Sequence, residues 1–100
     1  MNINKELMTA NAQAAADFLK CLANPNRLMV LCALMDGELS VSELNDSVPL
    51  SQSALSQHLS VLRDAELVET RREAQTIFYR LKDARVAPIL HALYELFCKE

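Results

Sequence analysis

Apolar residues recur at helical spacing in five stretches of this chain, and the period changes to two in only one place. Ala15, Phe18, Leu19 and Leu22 fall at i, i+3, i+4 and i+7, and Leu28, Leu31, Cys32 and Met35 repeat that spacing. Val41, Leu44 and Val48 mark a short third helix. Leu55, Leu59 and Leu62 line one face of a fourth, and Val86, Ile89, Leu90, Leu93 and Phe97 line a last one, roughly Ala84 to Lys99. Before that last helix, Leu67 to Arg72 and Thr76 to Leu81 read as strands, with Ile77, Tyr79 and Leu81 alternating with Phe78 and Arg80. The break at Glu73-Ala74 makes them a hairpin, although its tip lacks Asn-Gly or Asp-Gly. The expected fold is therefore mostly α with a small β-hairpin (α+β): four helices, the hairpin, then a fifth helix. Residues 1–11 read as a flexible N-terminal arm and residues 12–100 as one domain.

The punctuation agrees with the periodicity. Asn24 can cap a helix whose first position is Pro25, and Gly37, the only glycine, ends it. Ser40 followed by Glu43 is a capping box. Pro49-Leu50 makes a tight turn, after which Ser51 can cap the fourth helix.

One hundred residues suffice for one domain with a thin core, which extra burial in a dimer would help. The densest apolar run, Leu28 to Met35, is far too short to span a bilayer. Met1 to Asn11 does not read as a signal peptide, so the expected compartment is the cytoplasm, where the three cysteines would be thiols. Enzyme chemistry finds little support. A single glycine makes no phosphate-cradling loop, and Cys98 with His91 as base, seven residues apart, has no substrate pocket suggested near it. No cofactor is implied.

The formal net charge of −3 argues mildly against a nucleic-acid partner, but placement matters more than the sum. The fourth helix, Ser51 to Leu62, contains no acid, and Arg63, Arg71, Arg72, Arg80 and Lys82 follow it. Two short helices joined by a tight turn and followed by a hairpin describe a winged helix-turn-helix, whose second helix enters the DNA major groove. Here that helix would offer Ser51, Gln52, Ser53, Ser56, Gln57 and Ser60 opposite its leucines. Glutamine can pair bidentately with adenine, serine can bond several base edges, and a helix N-terminus can hold a phosphate. The plainer alternative is a solvated polar surface, though ordinary surface helices carry Glu and Lys. His58, at the edge of the leucine stripe, reads as packed or phosphate-binding rather than as a metal ligand. Arg63, Arg71, Arg72 and Gln75 would grip the flanking DNA, and the alternative for the arginines is a charged strand edge that resists aggregation.

Asn24 to Leu28, Glu38 to Leu44 and Leu50 to Leu59 (Asn-Pro-Asn-Arg-Leu, Glu-Leu-Ser-Val-Ser-Glu-Leu and Leu-Ser-Gln-Ser-Ala-Leu-Ser-Gln-His-Leu) resemble the ArsR/SmtB family of bacterial repressors. The likeness runs from about Ala12 to Cys98. Within the family, Arg72 to Thr76 and the cysteine placement are similar to the HlyU/BigR/YgaV/SqrR branch. The resemblance implies a homodimer built through the first and last helices, double-stranded operator DNA with an imperfect palindrome as partner, and an inducer that releases it. It also implies a thiol switch at Cys32 and Cys98, answering oxidants or reactive sulfur by a disulfide or a short sulfur bridge. A direct disulfide would need Cα atoms within about 7 Å, and one thiol should have raised thiolate character. On residue type alone Cys32, on an apolar stripe, reads as a small core residue rather than a switch, and Cys21 has no counterpart in the branch pattern.

Three departures from the family matter. Many metal-sensing relatives carry Cys-Val-Cys where this chain has Ser40-Val41-Ser42, and the serines cannot hold a soft metal. The last helix has Asp83 and His91 without matching partners, so no metal is expected. Glu66 stands where the family usually has glycine, costing about 1–2 kcal/mol if that backbone is left-handed. Three alternatives remain open from sequence: a pure protein-interaction module, a regulator sensing a thiophilic metal through the two cysteines, and a DNA-binding competitor that senses nothing.

Overall fold

A computed structural model describes residues 2–99 of the chain. Its helices are α1 (Lys5–Leu22), α2 (Pro25–Ala33), α3 (Val41–Ser47), α4 (Gln52–Asp64) and α5 (Val86–Phe97). Its strands are β1 (Leu39–Ser40), β2 (Val68–Glu73) and β3 (Thr76–Leu81), and a 3₁₀ turn, Leu34–Asp36, continues α2. The expected caps are present. Asn24 accepts from the amides of Asn26 and Arg27, and Pro25 opens α2. Ser40 and Glu43 exchange both bonds of the capping box, at 3.1 and 2.8 Å.

α1 begins earlier than its apolar spacing suggests. Asn4 accepts from the amides of Glu6 and Leu7, so residues 5–11, expected as an arm, are helical and exposed. Met1 lies outside the described residues. The outer part of the helix carries few apolar groups at core spacing, and capping rather than burial starts it.

The sheet has a strand that the period-two pattern does not reveal. β1 pairs antiparallel with the hairpin, giving the order β1-β3-β2, with Leu39 opposite Tyr79 and Ser40 opposite Phe78. Two residues are too few to show alternation. The hairpin turn sits one residue later than expected: Glu73 pairs with Thr76, so Ala74-Gln75 form the loop. Ala74 takes φ 56°, the left-handed conformation that glycine would otherwise supply.

One core holds these elements together. Val30, Leu31, Leu44, Leu55, Leu62 and Val86 are fully buried, and Leu59, Leu67, Val68 and Leu90 nearly so. The apolar stripes of α1 and α5 run past its edge. α1 buries only Leu22 and half-buries Phe18, and Leu19 is 52% exposed. α5 buries Val86 and Leu90, yet Phe97, expected on the same stripe, is 80% exposed. Just before α5, the Arg85 guanidinium lies 4.7 Å from the centre of the Phe18 ring on α1.

Glu66 has φ 61°, so the left-handed turn after α4 is occupied by a residue with a β-carbon. That conformation costs about 1–2 kcal/mol for an L-residue. The exposed Glu66–Lys82 pair, at 3.0 Å, offsets little of it, since such pairs contribute up to about 1 kcal/mol. Glu66→Gly should raise the unfolding free energy by about 0.5–1 kcal/mol in denaturant melts. Glu66→Ala, which loses the pair and keeps the strain, should not.

Candidate nucleic-acid interface

α4 is oriented by its leucines. Leu55, Leu59 and Leu62 are buried, which turns Ser53, Ser56, Gln57 and Ser60 outward, all exposed. Exposed Arg63 continues that face by one turn. Ser53 to Arg63 span about 15 Å along the helix axis, close to the width of a major groove. Ser51 caps the helix by accepting from the Ala54 amide at 3.2 Å, and the Ser51 and Ser53 hydroxyls lie 3.4 Å apart. The amides of Gln52 and Ser53 have no acceptor among the described residues, as the first turn of a helix allows. His58 is half-buried at the border of the leucine stripe, and Ala54 is the other half-buried residue of this helix up to Asp64.

Gln52 and Gln75 come together across a groove of about 640 Å³ between α3, the start of α4 and the hairpin tip. Ser42, Asn45, Asp46 and Thr76 also line it, so the groove is polar, and Asp46 is its ionisable group.

The two hairpin arginines do not act alike. The Arg71 Nε lies 3.2 Å from both oxygens of Glu38, and Nη2 closes on one of them. Nη1 bonds Glu73 at 2.8 Å, and the guanidinium lies 4.6 Å from the centre of the Phe78 ring. The guanidinium's hydrogen bonds hold the Glu38 carboxyl below the usual glutamate range, and Arg71 is raised by the same bonds. Exposed Arg72 makes no ion pair among the described residues. Sequence reasoning missed Glu38 and Phe78, because a pair separated by 33 positions leaves no local signal.

Cys32, near the end of α2, and Cys98, just beyond α5, are exposed thiols on the wall of one cleft of about 290 Å³. Leu28, Leu90, Leu93, Tyr94 and Phe97 make the rest of that wall almost wholly apolar. Burial pushes the Cys32 thiol up, and a charge on Cys98 would push it further. The thiolate character expected of a reactive pair is thus lowered at Cys32. Cys21 is half-buried against the core, away from this cleft. Among the described residues no group of three or more His, Cys, Asp or Glu side chains is placed to hold a metal ion. No helix among the described residues is long and apolar enough to cross a membrane.

Residues 24–70 match the family model described as bacterial regulatory protein, arsR family. The chain is 44% identical to the biofilm growth-associated repressor of Xylella fastidiosa over 99 residues, spanning 99% of this chain and 87% of that protein. It is 48% identical to the transcriptional activator HlyU of Vibrio cholerae over 97 residues, 97% of this chain and 90% of the relative. The crystal structure of the repressor BigR from Xylella fastidiosa superposes with a TM-score of 0.93 at 45% identity, covering 98% of this chain and 100% of that one. Reduced HlyU from Vibrio cholerae gives 0.85 at 49% identity, covering 94% and 99%.

Because the folded pKa of Glu38 is depressed, its pairing stabilises fully above the unfolded value of about 4.5 and fades as pH falls through the lower folded value. The Phe78 ring and Arg71 Hε resonances should therefore titrate together below pH of about 4.5, and Glu38→Gln should abolish that titration.

Proposed function

The chain belongs to the ArsR family of bacterial regulatory proteins and is a DNA-binding winged helix-turn-helix regulator of transcription rather than an enzyme; from that premise we propose a cytoplasmic homodimeric repressor that binds an imperfect palindrome and is released when Cys32 and Cys98 are bridged. The observation that carries the DNA reading is α4, with leucines buried and an exposed face of serines and glutamines without acid from Ser51 to Arg63. In this reading Ser53, Ser56, Gln57 and Ser60 meet base edges, and the free amides of Gln52 and Ser53 hold a phosphate, with Ser51 as their cap. His58 and Arg63 border the same surface, and Gln75 reaches the flanking backbone from the hairpin tip.

The stripes that the protomer leaves uncovered support the dimer. Leu7, Met8 and Leu19 on α1 and Tyr94, Leu96 and Phe97 on α5 are large, apolar and exposed. A second copy packed there would complete a core that one hundred residues make only thinly. It would also set two α4 helices about 34 Å apart, one turn of DNA.

The cleft supports the thiol switch, because it puts both cysteines on one apolar wall between α2 and α5. A thiolate on Cys98 takes a sulfane sulfur from a polysulfide, which leaves one sulfur shorter. Cys32 then attacks the inner sulfur of the resulting persulfide, its proton leaves with hydrogen sulfide, and a disulfide remains. A longer persulfide leaves a sulfur-inserted bridge by the same exchange. The raised Cys32 thiol makes it the second thiol to react rather than the first. Tying α2 to the end of α5 moves each α4 relative to the dimer axis, and a coupling of about 1–3 kcal/mol suffices for a 5- to 150-fold loss of DNA affinity.

A palindromic duplex selected by the reduced protein from a randomised pool tests this reading. Polysulfide treatment should weaken its binding at least about fivefold. Cys32→Ser should bind as well as the reduced protein and no longer respond, and mass spectrometry of the treated wild-type protein should find the two-cysteine adduct without metal. Equal affinities of the reduced and treated protein, or a response that survives Cys32→Ser, remove the switch. Gln57→Ala should relax base preference at one position of each half-site by about 1–3 kcal/mol.

A further inference from the structure

Successive residues of a strand point to opposite sides, so Arg71 and Arg72 cannot serve the same surface. Cross-strand register assigns each of them a face. Arg71 lies opposite Phe78 and shares its side of the hairpin with Glu69, Glu73 and Arg80. Every charge on that outer side is matched. Arg80 bonds Glu69 at 2.8 Å, and Arg71 bonds Glu73 while reaching across β3 to Glu38, next to β1. With Glu38, three carboxylates face two guanidiniums there, so this side repels phosphate. The inner side carries Val68, Thr70, Ile77, Tyr79 and Leu81, of which Val68 is buried and Tyr79 and Leu81 pack on the core. Arg72, opposite Ile77, is the charged side chain of β2 and β3 on that side. Ile77 in turn lines the groove shared by Gln52 and Gln75, beside the start of α4.

We propose that Arg72 is the wing's single cationic phosphate contact, and that Arg71 is a positioning residue whose bonds to Glu38 and Glu73 latch the wing against the body. The inference rests on the DNA reading above and deepens it, since sequence alone gave both arginines the same role. The chemistry separates them. A guanidinium bonded to two carboxylates with a ring beneath it must lose those partners before it can take a phosphate, whereas Arg72 has none to lose. The latch also ties the hairpin to the segment that leads into α3, so it fixes the angle at which Arg72 is presented.

The measurement is the slope of log affinity against log salt, taken with the duplex selected from a randomised pool by the full-length wild-type protein. Each phosphate contact contributes about 0.9 to that slope, so Arg72→Ala in both protomers should make it shallower by about two, and Arg72→Lys should restore most of the difference. Arg71→Ala and Glu38→Ala should keep the wild-type slope. Both should lower the thermal midpoint, and the double variant should fall no further than Arg71→Ala alone. Circular dichroism of each variant establishes that it is folded before it is titrated, and the neutral Arg72→Gln should give the same shallower slope if Arg72→Ala does not fold. An Arg71→Ala slope as shallow as that of Arg72→Ala would show that the latch opens on DNA and overturn the assignment, as would an unchanged slope for Arg72→Ala. If the wild-type protein retains no duplex from the pool, the DNA reading itself falls and takes this inference with it.

Discussion

Burial of Leu55, Leu59 and Leu62 along one side of α4 is the constraint on which the candidate interface depends. Each side chain gains about 1.5–3 kcal/mol by leaving water, so rolling the helix about its axis would forfeit several kcal/mol at once. No acid stands on the opposite face from Ser51 to Arg63, and exposed Arg63 favours the same orientation. The face turned outward is thus set by what is turned inward, and its short hydroxyl and carboxamide side chains need no tether of their own. The Ser51 cap adds a defined starting point, so the first free amides of the helix are also fixed in place.

The same core explains what the protomer lacks. It is sufficient for α2, α3, α4 and the sheet, but it reaches only the last turn of α1 and the first half of α5. An eighteen-residue helix with one buried residue is poorly supported by itself, because helices in water owe most of their stability to packing. The thiol cleft sits at this under-filled margin, between α2, which belongs to the core, and α5, which leaves it. A bond made there would tie a helix held by the core to one that runs past it.

Much of this architecture was legible in the residues. Asn24-Pro25, the Ser40/Glu43 box and the Ser51 cap are local devices whose partners lie within three positions, and each formed as its spacing implied. The leucine stripe of α4 was legible because one helix repeats its period within a dozen residues. What escaped notice was non-local or too short. β1 has two residues, its partner is about forty positions away, and no periodicity announces it. The ribbon of residues 68–81 was visible, but the turn at Ala74-Gln75 uses a left-handed alanine in place of the usual glycine, so its register was displaced by one. The outer turns of α1 and the exposure of Phe97 escaped for another reason: amphipathic spacing says that a face is buried, not whether the same chain buries it.

Ser40 belongs to two structures at once. Its side chain starts α3, and its backbone lies in β1 opposite Phe78 of the hairpin. The helical pair and the ribbon are therefore the two arms of one rigid caliper, whose opening is set by hydrogen bonds at its pivot rather than by a pliable joint. A caliper of fixed gape does not mould itself to what it grips. Any bending or narrowing needed for a match would fall on the duplex, and sequences that deform cheaply would be favoured even at positions that no side chain touches.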